Sequence, residues 1–161
     1  MRLALYQPDI AQNTGTILRM GACLSIPVDV IGPTGFDMSD RALRRAGLDY
    51  LDHVDLTRHT SFEEFDAERR ARGCRLVLLS SHAQTAHIDF AFASGDILLM
   101  GRESAGVPRQ VHDTADAHLR IPMRPGLRSL NIAVAAAMAV GEALRQTGGF
   151  PSPAPRNFDH S

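Results

Sequence analysis

The chain has 161 residues, 44% of them hydrophobic, which suits one domain with enough core to fold alone. Its 17 basic and 18 acidic residues leave a formal net charge of -1, which excludes a global electrostatic pull toward nucleic acid. Any such binding must use a local patch or one shared between subunits. Cys23 and Cys74 have neither metal-ligand spacing nor a disulfide framework, so a reducing, cytoplasmic compartment is expected. The apolar runs are too short and too Gly-rich to cross a membrane, and the first residues lack the pattern of a signal peptide.

In chain order, Leu3 to Tyr6 reads as a buried strand. Gln12-Asn13-Thr14-Gly15 then opens a helix with an apolar stripe of Ile17, Leu18, Gly21 and Leu24. Pro27 to Ile31 is a second strand, and Gly32 to Gly35 a turn. Ser39 caps a short basic helix, Asp40 to Ala46, with Gly47 as its stop. Ser61 and Glu64 form a capping box for a helix over Phe62 to Arg72. Further strands are expected at Arg75 to Leu79, Asp96 to Met100 and Ala117 to Ile121. The longest helix is expected from Ser129, as its cap, to Gln146, after which residues 148–161 form a Pro-rich tail. Residues 1–147 are thus read as a single domain.

Strands alternate with helices, and the strands are continuous apolar runs. That pattern favours an α/β fold with a parallel sheet covered on both faces, whose ligands bind at the carboxyl ends of the strands. Several chemistries lack their residues. No G-x-G-x-x-G follows the first strand, so a dinucleotide fold is unsupported. Gly101 and Gly106 are spaced as in a phosphate loop, but Val107-Pro108 stands where the Lys and Ser/Thr would be. No G-x-S-x-G elbow occurs, and the histidines form no i, i+4 pair and have no cysteine partner, so no metal is expected.

Two loops remain. One is Gly101-Arg102-Glu103-Ser104-Ala105-Gly106, after an apolar strand; the other runs from Ile121 to Asn131 through Pro122, Pro125 and Gly126. Tight loops of this kind crowd main-chain donors and acceptors together, and two of them can face each other across one pocket. With Asn13-Thr14-Gly15-Thr16-Ile17-Leu18-Arg19, they resemble the SPOUT superfamily of RNA methyltransferases, in its TrmH-like 2′-O-methylating branch. Arg44-Arg45-Ala46-Gly47-Leu48-Asp49-Tyr50 narrows the resemblance to the TrmL-type family, which acts on the tRNA wobble nucleotide with a catalytic domain alone.

The resemblance implies a SPOUT fold with a C-terminal trefoil knot around Gly101 to Asn131, a homodimer, and S-adenosylmethionine bound in the knot. Leu79, Gly101, Ile121 and Ser129 would hold the cofactor through main chain, with Met123 and Leu130 as apolar walls. Arg19 and Asn13 would be the catalytic pair. A guanidinium stays charged, so Arg19 is expected to clamp phosphate and stabilise a developing alkoxide rather than to take a proton. Asn13 is expected to orient the loop or a ribose hydroxyl, and Glu103 with Gly106 to scaffold the loop. The last helix carries Ala133, Ala136, Ala137 and Gly141, which suit either close approach of a second subunit or packing within one.

The expected RNA surface is local: Arg41, Arg44 and Arg45 on the short helix, then Arg58, with Tyr50 to stack on a base and Arg128 and Asn131 beside the cofactor. The implied substrate is the anticodon stem-loop, methylated on the ribose of nucleotide 34, cytidine or a modified uridine, in leucine tRNAs. Alternatives are another tRNA or rRNA nucleotide, or a non-enzymatic RNA-binding module. A flavodoxin-like nucleotide-binding protein would share the α/β pattern without accounting for Asn13 to Arg19 or for the paired loops.

Overall fold

The structure is a computed structural model that describes residues 1–45 and 50–152, without the side chain of Arg45. Seven strands form one sheet: β1 (Arg2–Tyr6), β2 (Val28–Ile31), β3 (Leu56–His59), β4 (Leu76–Leu79), β5 (Thr85–Ala86), β6 (Ile97–Met100) and β7 (Ala117–Arg120). Every pairing is parallel, and the order across the sheet is β3-β2-β1-β6-β4-β7-β5. Five helices cover it: α1 (Ala11–Leu24), α2 (Asp40–Arg45), α3 (Phe62–Ala71), α4 (Arg109–Thr114) and α5 (Ile132–Thr147).

Alternation along the strands sends side chains to two cores. In β1, Leu3 and Leu5 join one core with Ile17 and Leu18 of α1 and with Ala136 and Val140 of α5. Ala4 and Tyr6 join the other, with Phe62 and Phe65 of α3 and Val111 of α4. The central strands are therefore buried on both faces, as their uninterrupted apolar runs require. Asp29 of β2 is buried and accepts hydrogen bonds from Arg2 at 2.8 and 3.0 Å, with a ring nitrogen of His59 2.9 Å away. The paired partners offset its desolvation.

The expected helices and strands are present, with shifted ends. Ser39 Oγ accepts from Ala42 N at the start of α2, while the Gly47 stop lies outside the described residues. Ser61 caps α3 by accepting from Glu64 N, and the Glu64 carboxylate reaches back to Thr60 N. One expectation is corrected: Ser129 does not cap the last helix. Asn131 does, because its Oδ1 accepts from both Ala133 N and Val134 N, and α5 begins at Ile132. The small residues of α5, for which both uses were open, divide between two faces. Ala133 and Ala136 are buried in the chain's own core, whereas Val134, Ala137 and Met138 face outward. Residues 148–152 follow α5, and the rest of the Pro-rich tail lies outside the described residues.

The chain order matters for the site. After β4 the chain runs to β6 on one side of it and β7 on the other. The carboxyl ends of β6, β4 and β7 thus lie side by side, and the loop that leaves β6 faces the loop that leaves β7.

Candidate active site

A cavity of about 700 Å³ opens at those strand ends, within the range of small-molecule sites. Leu79 and Ser80 at the end of β4, Gly101 to Glu103 with Ala105 and Gly106 after β6, and Ile121, Met123 and Ser129 to Asn131 after β7 form its walls, with Ile10 and Asn13 of the α1 start. Every residue expected to hold the cofactor lines it: Leu79, Gly101, Ile121, Met123, Ser129 and Leu130. Glu103, Gly106, Asn13 and Asn131 line it as well.

The first loop is folded on itself. Arg102 and Gly106 exchange backbone hydrogen bonds at 2.8 and 2.9 Å. Gly106 has φ +65°, and a Cβ on Gly101 would stand 2.8 Å from the Gly106 carbonyl carbon. Glycine is required at both ends of this turn, at one for its φ and at the other for the close approach. The second loop is more open. Between Ile121 and Leu130, among the described residues, the backbone makes one hydrogen bond to other main chain, Leu127 N to Arg124 O. Its remaining N–H and C=O groups are free to meet a ligand's polar edge. With Leu79, Ile121, Met123 and Leu130 as apolar surface, these groups suit a flat heterocycle with an apolar body, as S-adenosylmethionine has.

A relay of amides and acids joins the cavity walls. Glu103 accepts from Asn13 Nδ2 at 3.3 Å and from Asp9 N at 2.9 Å. Asn13 Oδ1 accepts from Asn131 Nδ2 at 2.9 Å, and Asn131 Oδ1 caps α5. Each amide therefore has its donor and acceptor ends fixed by its partners. The Asp9 carboxylate takes Arg102 and Ser104, and the Arg102 guanidinium holds it well below its usual range, at about 2, with Ser104 assisting. Sequence reasoning did not single out Asp9. Its partners lie more than ninety positions away, and no local spacing marks it.

Arg19 is not part of the cavity wall. It sits six positions along α1 from Asn13, about 120° around the helix and about 9 Å along it. Its guanidinium lies over the Tyr50 ring, 4.6 Å from the centroid. The structure thus brings together two residues expected at the RNA, though not at the cavity. Arg41, Arg44, Arg58 and Arg128 are exposed. Arg44 is paired with Asp52 at 2.6 Å and Arg58 with Asp40 at 2.7 Å. Arg45 ends α2, with its side chain outside the described residues. Exposed pairs of this kind contribute little, so a phosphate can displace either carboxylate.

One grouping of metal-ligand type lies elsewhere, where His59, Glu64 and Glu68 bring ligand atoms within 4.8 Å of one another. Their protein partners already engage all three: Asp29 for His59, Thr60 for Glu64 and Arg72 for Glu68.

A parallel α/β domain with glycine-built loops around a cavity at its strand ends is a small-ligand site of enzyme type. Residues 1–141 match the SpoU rRNA Methylase family, and the chain belongs to it. A tRNA (cytidine(34)-2′-O)-methyltransferase of Beijerinckia indica is 61% identical over 148 residues, 92% of each chain. A solved structure concerned with 2-OH methylation of C/U34 on tRNA has 45% identity and a TM-score of 0.83, covering 90% of this chain and 94% of the other. The SpoU methyltransferase AviRb of Streptomyces viridochromogenes, solved with AdoMet, has 28% identity and a TM-score of 0.82 over 91% of this chain and 57% of its own.

Proposed function

We propose that residues 1–147 act as one domain that methylates the ribose 2′-oxygen of tRNA nucleotide 34, cytidine or a modified uridine, with S-adenosylmethionine as donor. The observation that carries this reading is the cavity, where every expected cofactor residue meets at the carboxyl ends of three adjacent strands. The likeness to enzymes named for C34 and to an AdoMet-bound relative supports the substrate and the cofactor. The strand order, with the earlier β4 between β6 and β7, supports the trefoil knot that the family resemblance implies. A tRNA substrate supports the cytoplasmic location expected from the sequence.

When bound, the cofactor supplies an activated methyl group on sulfur. The chain's own part is alignment and electrostatics. Main chain of the two loops fixes the donor, and Asn13, locked between Glu103 and Asn131, presents an oriented amide at the cavity mouth. Arg19 holds phosphate and steadies negative charge developing on the ribose oxygen, with Tyr50 beneath it as a stacking surface. Arg41, Arg44, Arg45, Arg58 and Arg128 extend the phosphate contacts, and a homodimer brings a second such surface alongside.

Calorimetry with S-adenosylhomocysteine and transfer of labelled methyl to bulk tRNA test the reading, with the label mapped nucleotide by nucleotide. The expected label is on the ribose of nucleotide 34; label elsewhere moves the substrate, and absence of both binding and transfer overturns the reading. Arg19→Ala is expected to bind the product normally and to lose at least a hundredfold in methyl transfer; normal transfer would remove Arg19 from catalysis.

A further inference from the structure

We infer that Asp9 is a positioning residue for the cofactor, a clasp that holds the Gly101–Gly106 loop in its binding shape. The inference rests on the proposed methyltransferase reading and adds a residue to it.

Asp9 engages three consecutive residues of that loop. Its Oδ1 accepts from Arg102 Nε at 3.2 Å and Nη2 at 2.7 Å. Its Oδ2 accepts from Ser104 N at 3.1 Å and from Ser104 Oγ. Its own N–H donates to Glu103 Oε2 at 2.9 Å. A loop of this length has only its Arg102–Gly106 bridge to define it from within. The remaining constraint comes from outside, and Asp9 supplies most of it through a charge-assisted fork.

Asp9 is itself rigidly placed. The chain turns sharply after β1 at Gln7, with φ +43°. Behind it Gly35 packs so closely that a Cβ would stand 3.0 Å from Asp9 Cα, and Gly35 N donates to Pro8 O at 2.9 Å. Two residues further on, α1 begins and carries Asn13 and Arg19. Asp9 thus sits at the joint between the loop that faces the donor and the helix that faces the RNA. Preorganisation lowers the ordering cost of binding, so loss of the clasp falls on cofactor affinity.

Asp9→Asn keeps the size but turns an NH₂ toward either Arg102 or Ser104. Product affinity by calorimetry is expected to fall at least tenfold, the KM for S-adenosylmethionine to rise in step, and kcat and the KM for tRNA to stay within threefold. Ser104→Ala removes the Oγ bond, keeps the Ser104 N–H bond, does not touch the cavity wall and is expected to cost about threefold in the same affinity. Asp9→Glu, which restores the charge, is expected to recover part of the loss. If both Asp9→Asn and Ser104→Ala bind within twofold of wild type, the clasp has no role in cofactor binding, whatever their melting temperatures. Amide exchange of the unliganded chain judges the clasp separately. Asp9→Asn is expected to speed exchange at Ser104 and Gly106 at least tenfold, and unchanged exchange overturns the inference. Wild type that binds no product would refute the methyltransferase reading instead, with the exchange result still deciding the clasp. Should Asp9→Asn fail to fold, Ser104→Ala alone decides: unchanged affinity and exchange overturn the inference.

Discussion

Asn131 performs two tasks with one amide: Oδ1 caps α5 and Nδ2 donates to Asn13. Asn131→Asp separates them. A carboxylate still caps a helix N-terminus well, and its charge suits the dipole there. It also faces the Asn13 carbonyl oxygen with an acceptor, so the bridge is lost. Thermal stability is expected to stay near wild type while single-turnover methylation falls at least tenfold; equal activity would show that the bridge is idle. Acid sensitivity belongs to this scale too. Arg102 holds Asp9, and Arg145 with Gln146 holds Glu142, each at about 2, below ordinary values of 3.8 and 4.5. A lowered folded pKa means stabilisation that is full above the unfolded value and is lost as pH falls through the folded one. Denaturant midpoints across a pH series are therefore expected to be unaffected by these groups from pH 8 to about 5, and to drop between about 4 and 2. Glu142→Gln should blunt that drop. The site was legible wherever glycine or proline followed an apolar run, since that pattern marks a strand end. Asp9 and the Arg19–Tyr50 stack were not, because they depend on partners far along the chain.

Elements were legible in proportion to their apolar periodicity. β1, β4 and β6 run almost wholly through the core, and their continuous apolar runs located them. β3 is an edge strand of sequence LTRH, β5 has two residues, and α4 buries only Val111. With so little surface to bury, none leaves a period to read. The last helix shows a different limit. Ser129 and Asn131 are both good caps, and only the paired bonds to Ala133 and Val134 decide between them. The Gly101–Gly106 turn is the element on which the cavity depends most. Gly101→Ala would place a methyl 2.8 Å from the Gly106 backbone, which has no flexible side chain to move aside. The loop must open, with the sheet beneath it intact. Product binding is expected to fall at least tenfold with little change in the far-ultraviolet circular dichroism spectrum. Retained affinity would show that the loop can shift without harm to the site.

At the scale of the molecule, one outward apolar face has no cover from the described residues of its own chain. Val134, at 50% exposure, and Met138, at 43%, stand on α5 with Ala137 between them and Gly141 a turn beyond. They follow one another at helical spacing and border a cleft shared with Asn13, Thr16 and Asn131. Apolar surface beside a catalytic cavity calls for a partner. The small residues Ala137 and Gly141 would let a second helix approach closely, so a second copy of this chain is the partner to test. Arg19 lies off its own cavity wall, and the cleft on this face reaches Asn13 and Thr16 of the same helix. Val134→Glu with Met138→Glu should therefore yield monomers by sedimentation velocity. Product affinity is expected to stay within threefold, because one chain alone builds the cavity walls, while methyl transfer to tRNA falls at least tenfold. A variant that stays dimeric would place the interface elsewhere, and a fully active monomer would show that one subunit carries both cofactor and substrate surfaces.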